Sequence, residues 1–298
     1  SGFGSFMVST HGNPSTPILW TLSEPFGAKD WWPCKQDLND KIDSIDVYIN
    51  APMQYVSVSN GVEPAAPIIN GTQKTTHFKH KYPIPAYLIA IAVTNYAVHN
   101  QVGGTAPNQY PIINYLYPET MNSNLLKLNQ TPLILSLFDS LLIPYPYSLE
   151  KYGHAQFGWG GGMEHTTVSF MVNFNRSLIA HELAHQWFGD DITCGTWKDI
   201  WLNEGFATYM ASLVIENFDG ENAFILDKTA MINYITSEPD GAVYLTAQEA
   251  TDVSRIFNGR LSYYKGAMVL NMLRLKMGDA GFFQGLRNYL NDINLNYG

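Results

Sequence analysis

The chain has 298 residues, of which 46% are hydrophobic and 14% charged, and its formal charge at pH 7 is −9. This length fits one large domain or two of ordinary size, and the low charged fraction excludes a disordered chain. Because acidic residues outnumber basic ones and no basic block occurs, we expect neither a nucleic-acid partner nor binding to an anionic membrane surface. No apolar run approaches the ~20 residues of a membrane-spanning helix, so no membrane segment is expected.

The first hundred residues carry β-strand patterns. Alternating or continuous apolar runs occupy residues 41–49, 53–58 and 87–98. Asn60 and Gly61 mark a turn between two of these runs. We expect His77 and His80, in a Lys-rich segment, to be exposed to solvent. A Gly-, Asn- and Gln-rich stretch at residues 100–110 is the predicted domain boundary.

Helical patterns dominate the rest of the chain. Leucines at helical spacing occupy residues 122–142, and a glycine-rich turn that leads into a strand is predicted at residues 157–170. Long helical patterns follow at residues 177–188, 200–218, 259–277 and 281–291. Two cysteines, Cys34 and Cys194, are too few for a disulfide framework or a cysteine zinc site, and the sequence does not indicate whether they pair.

The segment HELAH at residues 181–185 carries the strongest chemical signal. In a helix, His181 and His185 lie one turn apart on the same face, so both imidazoles can reach one tetrahedral metal ion. Glu182 projects in a neighbouring direction and can hold a metal-bound water rather than the metal. The pattern predicts a zinc site, and the alternative is two ordinary helix histidines beside a salt-bridged glutamate.

A third ligand is available further along the chain. Glu204 follows His185 after the eighteen residues 186–203 and lies inside the helical pattern WLNEGFA. A second helix packed against the first would bring its carboxylate to the two histidines. Three protein ligands and a water are typical of a catalytic zinc, whereas structural zinc sites use four protein ligands. Taken alone, Glu204 is an ordinary helix residue.

These motifs resemble the aminopeptidase N family of gluzincin zinc peptidases, which includes the leukotriene hydrolases. HELAHQWFG followed by WLNEGFA resembles the zinc-binding motif of the family, and GGMEH at residues 161–165 resembles its GAMEN exopeptidase motif. YYKG at residues 263–266 resembles its YxKG segment, and TLSEPFGAKDWWPC at residues 21–34 resembles a segment of its first domain. The four motifs occur in the family's order and cover nearly the whole chain.

The resemblance implies one Zn²⁺ per chain, held by His181, His185 and Glu204. It implies that Glu182 is the general base that takes the proton of a zinc-activated water and passes it to the leaving amine. Tyr263 matches the tyrosine whose hydroxyl stabilises the oxyanion. A shift of one residue in the motif would give that role to the neighbouring Tyr264.

The resemblance also implies a site for the free amino terminus of a peptide. Glu24 and Glu164 correspond to residues that bind the substrate's α-amino group, which places the scissile bond one residue away. Gly161 and Gly162 would let the backbone approach the extended substrate. The family's asparagine is replaced by His165, for which we expect a packing or supporting role rather than zinc ligation.

The implied fold is α+β, with a truncated N-terminal β-sheet domain at residues 1–102 and a thermolysin-like catalytic domain at residues 103–298. The family's helical C-terminal domain is absent from this chain, and we expect it in the parent protein. The predicted function is zinc-dependent removal of N-terminal residues from peptides. The alternatives are an inactive zinc- or peptide-binding module, a leukotriene-hydrolase-like epoxide hydrolase and a thermolysin-type endopeptidase. Glu24 disfavours the epoxide hydrolase, which carries glutamine there, and together with Glu164 it disfavours the endopeptidase.

Overall fold

The computed structural model describes residues 3–292, and the chain divides into two compact units. The first unit comprises Ser1–Leu133 and Tyr147–Asn175, and the second comprises Ile134–Pro146 and Arg176–Gly298. Among residues 3–292, strands occur only in the first unit and most helices in the second, which confirms the predicted α+β class. None of the helices in this range is both long and apolar enough to cross a membrane.

The described residues of the first unit form three sheets. The strands are β1 (Phe6–His11), β2 (Thr16–Thr21), β3 (Ile45–Pro52), β4 (Val56–Ser59), β5 (Ile68–Asn70), β6 (Gln73–His80), β7 (Ile91–Thr94), β8 (Ala97–Gly103), β9 (Tyr110–Leu116), β10 (Tyr152–Gln156), β11 (Gly162–Met163) and β12 (Ser169–Met171). Their spatial orders are β1-β2-β7-β4, β3-β6-β5 and β11-β12-β10-β9-β8. One helix, α1 (Met121–Leu128), also lies in this unit.

The five-stranded sheet carries the glycine-rich segment at its edge. β10 pairs in parallel with β9 and β12, whereas β11 pairs antiparallel with β12. All five residues of β10 are buried, as expected for a parallel strand that is covered on both faces. Gly153 in β10 is required by close packing, because a Cβ there would lie 1.9 Å from the Ile113 carbonyl oxygen. Within the described residues β11 is one of the two edge strands, so one side of its backbone has no neighbouring strand in this sheet.

The predicted strands of the first hundred residues are present with shifted bounds. β3 begins at Ile45, and β4 covers the end of the second predicted run. The third run splits into a 3₁₀ turn (Ala86–Leu88), β7 and the start of β8. The domain boundary predicted after residue 102 falls at the end of β8, which pairs with β9 as a hairpin, and this boundary stays a prediction.

The expected solvent exposure of His80 is wrong. β6 alternates partly buried and buried residues, and His80 is on the buried side with no exposed surface. Its Nδ1 lies 2.6 Å from Glu150 Oε2, and Glu150 Oε1 accepts the Lys81 backbone N–H at 2.7 Å. The neighbouring Lys79 lies on the other face of the sheet because side chains alternate along a strand, so the lysine content of the segment does not indicate whether His80 is exposed.

The second unit is helical. Its helices are α2 (Thr131–Leu141, of which the first three residues belong to the first unit), α3 (Arg176–Ala184), α4 (Trp201–Asp219), α5 (Glu221–Ile235), α6 (Val253–Ile256) and α7 (Gly266–Leu290), and a π-helix (Gly259–Lys265) precedes α7. The predicted helix at residues 200–218 matches α4 closely. The leucine pattern at residues 122–142 is divided between α1 and α2, and α7 contains a non-helical Gly278 with φ +72°.

Two close contacts in the second unit position the helices that carry the chemical motifs. Trp187 is fully buried, donates its indole N–H to the Ile143 carbonyl at 2.9 Å, and packs edge-on against Phe138 of α2. α4 meets the end of the π-helix at Gly205 and Gly266, where a Cβ on Gly205 would lie 2.9 Å from Gly266 Cα. The absence of side chains at both positions lets the two backbones come this near.

Candidate metal centre and catalytic residues

The two histidines of HELAH lie at the carboxyl end of α3. His181 is in the last turn of the helix, and His185 follows its final residue, with its backbone N–H still bonded to the His181 carbonyl at 3.3 Å. The two Nε2 atoms are 3.1 Å apart. The His181 side chain keeps 17% of its surface exposed and that of His185 only 1%. The helical spacing therefore brings both imidazoles to one point, as the sequence predicts.

Glu204 completes this cluster from α4, which packs against α3. Its Oε2 lies 3.2 Å from His181 Nε2 and 3.4 Å from His185 Nε2. Zinc–nitrogen and zinc–oxygen bonds of 2.0–2.1 Å in a tetrahedron require ligand atoms about 3.3 Å apart. The three observed separations of 3.1, 3.2 and 3.4 Å agree with this edge length, so the donor set fits zinc.

The ring orientation of His185 is fixed by the turn that follows α3. Its Nδ1 lies 3.0 Å from the Phe188 carbonyl oxygen, which can only accept, so Nδ1 carries the proton and Nε2 presents a lone pair. Gly189 closes this turn with φ +137°, a conformation that favours glycine. A Cβ at Gly189 would lie 3.2 Å from His185 Nδ1. No sequence pattern singles out the Phe188 carbonyl, because any residue supplies one.

The electrostatics of the cluster suit a metal ligand set. Burial raises the pKa of Glu204, but the two neighbouring imidazoles outweigh burial and lower that pKa to about 2. Burial lowers the pKa of His181 below its ordinary value, with His185 acting in the same direction and Glu204 opposing it. Near neutral pH the carboxylate is therefore ionised and the His181 imidazole neutral, the protonation states that metal binding requires.

Glu182 and Tyr263 lie next to this cluster in the second unit. Glu182 is 4% exposed, and a carboxylate oxygen lies within 4.8 Å of a His185 ring nitrogen. The Tyr263 ring stacks on the His181 ring, with centroids 5.8 Å apart and planes 17° from parallel. Tyr264 instead packs edge-on against Tyr234 and is 36% exposed. Of the two adjacent tyrosines, Tyr263 is therefore the one brought to the histidines.

The residues expected to bind an amino terminus come together within the first unit. Glu24 follows β2 and Glu164 follows β11, and they are only 5% and 3% exposed. Carboxylate oxygens of the two lie within 4.8 Å of each other. The Gly161 carbonyl accepts the Val172 N–H at 3.0 Å, and Gly162 belongs to the edge strand β11.

His165 is fully buried in the first unit and packs edge-on against Phe170 at a centroid distance of 4.4 Å. Burial lowers its pKa to about 3, so the ring is neutral at physiological pH. Among the described residues neither ring nitrogen has a hydrogen-bond partner. These observations support the packing role. Cys34 and Cys194 form no disulfide within residues 3–292.

Comparison with known proteins places the chain in a family. The sequence profile described as the Peptidase family M1 domain matches residues 128–297. Glutamyl aminopeptidase of Sus scrofa is 27% identical over an alignment that covers 92% of this chain and 31% of that protein. For endoplasmic reticulum aminopeptidase 2 of Bos taurus the identity is 28%, with 97% and 32% covered.

The fold is similar to solved structures of M1 zinc metallopeptidases. An M1 zinc metallopeptidase from Deinococcus radiodurans, bound to a Tyr-Ser-Ala substrate, has a TM-score of 0.77 and 26% identity, with 92% of this chain and 61% of that chain covered. The chain spans about a third of the length of the curated relatives it matches. Since the M1 profile covers more than half of the chain, the resemblance to the aminopeptidase N family is confirmed, and the chain belongs to peptidase family M1.

Proposed function

We propose that this protein is a zinc-dependent aminopeptidase that holds one Zn²⁺ per chain with His181, His185 and Glu204. The observation that carries the proposal is the set of three ligand-atom separations between 3.1 and 3.4 Å, which fit a tetrahedral zinc. When bound, zinc acts as a Lewis acid that polarises the substrate carbonyl and lowers the pKa of a water towards ~7.

Two side chains of the second unit transfer the proton and stabilise the negative charge that develops on the substrate oxygen. Glu182 is the general base that takes the proton of the attacking water and delivers it to the leaving amine. Its place on α3, within 4.8 Å of a His185 nitrogen, supports this role. Tyr263 donates its hydroxyl hydrogen to the oxyanion of the tetrahedral intermediate, and the stacking of its ring on His181 supports that assignment.

The first unit supplies specificity for a free amino terminus. Glu24 and Glu164 accept hydrogen bonds from the substrate's α-ammonium group. Two buried carboxylates this close repel each other when both are ionised, and a cation between them relieves the repulsion. The backbone of Gly161 and Gly162, at the edge of a sheet, binds the extended substrate as an added strand would. The relatives described above are aminopeptidases, which supports this substrate class.

The test is hydrolysis of one peptide in two forms, with a free and with an acetylated amino terminus, by the zinc-loaded protein. We expect release of the first residue from the free form only, loss of this activity with a chelator, and its return with Zn²⁺. Internal cleavage of both forms would indicate an endopeptidase and contradict the roles of Glu24 and Glu164. Cleavage of neither form by a zinc-loaded protein would favour a binding module.

A further inference from the structure

The four residues that follow Glu164 form a strained turn. The Val168 N–H donates to the His165 carbonyl at 2.9 Å, which closes a β-turn with Thr167 in its third position. Thr167 has φ +68°, as the third position of a type II turn requires. Glycine or asparagine usually occupies this position, and for a β-branched residue the conformation is unfavourable. Something in the surroundings must therefore hold Thr167 in place.

Two hydrogen bonds from a distant part of the first unit hold this turn. Asn60 donates from Nδ2 to the Thr166 carbonyl at 2.8 Å, and the Gly61 backbone N–H donates to Thr167 Oγ1 at 2.8 Å. All of these groups are buried. The two bonds connect residues 106 positions apart in the sequence, and they hold the carbonyl that precedes Thr167 and the Thr167 side chain itself.

The Asn60 side chain is itself immobilised. It donates a second hydrogen bond to the Leu88 carbonyl at 3.0 Å, and its Oδ1 accepts the Ala90 N–H at 2.9 Å. The preceding carbonyl, of Ser59, accepts a hydrogen bond from the buried Lys151 Nζ at 2.8 Å. Gly61 has no room to move towards Lys79, because its α-carbon is so close to the Lys79 carbonyl that a Cβ would lie 2.1 Å from that oxygen.

We propose that Asn60 and Thr167 are positioning residues that fix the direction in which Glu164 presents its carboxylate to the substrate's amino group. The inference rests on the proposed aminopeptidase function. A glycine at position 167 would form the same turn without strain, but it would offer no hydroxyl to the Gly61 N–H. Strained residues that are held by several contacts occur preferentially at ligand-binding sites. Glu164 directly precedes this turn, and a ligand, the substrate's amino group, is proposed for it.

The experiment compares two substitutions at position 167, the nearly isosteric valine and the hydroxyl-bearing serine. Thr167→Val replaces the hydroxyl that accepts the Gly61 N–H by a methyl group, whereas Thr167→Ser keeps this hydroxyl. For a peptide with a free amino terminus we expect Thr167→Val to raise KM about tenfold, the scale of one buried hydrogen-bond partner lost. The kcat per bound zinc should change little, because the affected interaction binds substrate and transition state alike. Thr167→Ser should have a KM close to that of the wild type.

A second pair of variants separates positioning from simple loss of stability. Asn60→Ala removes the contact with Thr166, and Asn114→Ala is the matched control. Asn114 is also fully buried in the first unit, donates to His99 O and Gln101 Oε1, and its Oδ1 lies 2.7 Å from His154 Nδ1, and none of these partners belongs to the turn. We expect a raised KM in Asn60→Ala only. A structural defect would instead reduce the concentration of active sites and leave KM unchanged.

The outcomes distinguish the two proposals. If the wild type cleaves the free peptide but Thr167→Val and Asn60→Ala both keep its KM, the positioning role is contradicted and the aminopeptidase function stands. An equal rise of KM in Asn114→Ala would likewise contradict the positioning role. If the zinc-loaded wild type cleaves no peptide, the proposed function fails, and the inference that rests on it fails too.

Discussion

Gly205 provides a test of how closely the second unit packs around the proposed metal ligands. It follows Glu204 directly in α4, and it faces Gly266, the first residue of α7 after the π-helix that carries Tyr263. A methyl group on Gly205 would lie 2.9 Å from both Gly266 Cα and its carbonyl carbon. Since both contacts are to backbone atoms, Gly205→Ala must push the two elements apart.

Two opposing effects determine how much Gly205→Ala changes the free energy of unfolding. Alanine is more stable than glycine inside a helix by about 0.5–1 kcal/mol, because glycine loses more backbone entropy on folding. Overpacking against immobile atoms costs about 1–3 kcal/mol. The midpoints of these two ranges differ by about 1 kcal/mol, so we expect Gly205→Ala to lower the free energy of unfolding by about 1 kcal/mol. Gly285→Ala in α7 is the matched control, because its Cβ would meet only the flexible end of Met277, at 3.4 Å.

The assay is thermal unfolding of the zinc-free protein together with zinc affinity measured against a chelating dye. Gly205→Ala should lower Tm by about 2–4 °C and weaken zinc binding about tenfold by displacing Glu204. Gly285→Ala should leave Tm unchanged or raise it. A Gly205→Ala protein as stable as the wild type would refute the close approach of the two backbones.

Three further substitutions test individual roles. Glu182→Gln should retain zinc but lower kcat about a hundredfold to ten-thousandfold in a peptide assay, and retained turnover would refute the general-base role. Tyr263→Phe should lower kcat about 10²–10³-fold at unchanged zinc content, whereas Tyr264→Phe should have little effect, and an equal loss in both would refute the assignment. Since the pKa of His165 is about 3 when folded and about 6.5 when unfolded, the unfolded chain binds one more proton between these pH values, and stability falls as the pH falls. His165→Asn should reduce that slope by about 1.4 kcal/mol per pH unit in denaturant titrations at pH 4–6, and an unchanged slope would contradict the neutral buried ring.

The convergence of the three proposed metal ligands is predictable from the sequence because their placement depends mostly on local geometry. The spacing of His181 and His185 is one helical turn, so their convergence needs only a helix at that position. Glu204 required one further step, the packing of α4 against α3, which the helical pattern around Glu204 suggested and the resemblance to a known family supported. The helical pattern at residues 200–218 already assigns its secondary structure correctly.

Other features depend on contacts that no local pattern contains. The burial of His80 depends on which face of β6 is covered, and its partner Glu150 is 70 residues away. The bond between Asn60 and Thr166 spans 106 residues, so the sequence indicates only a turn at Asn60. Helical periodicity did not predict α5, in which only Phe224 and Met231 are buried.

Which of Tyr263 and Tyr264 faces His181 also depends on structure that no local sequence pattern contains. A regular helix and a π-helix differ in the direction of each successive side chain, and the sequence pattern at residues 259–277 predicts only a regular helix. The π-helix at Gly259–Lys265 sets which tyrosine stacks on His181. The resemblance to the YxKG motif favours Tyr263 as the tyrosine near the histidines, whereas helical periodicity does not distinguish the two tyrosines.

The most direct test of the metal centre is the zinc content of the dialysed protein, measured by atomic emission, for the wild type and for His185→Ala and Glu204→Ala. Glu150→Ala serves as the control, because it removes a buried carboxylate beside a histidine in the first unit. We predict one zinc per chain in the wild type and the control, and nearly none in the two ligand variants. Full zinc content in His185→Ala and Glu204→Ala would contradict the assignment of these residues as the metal ligands.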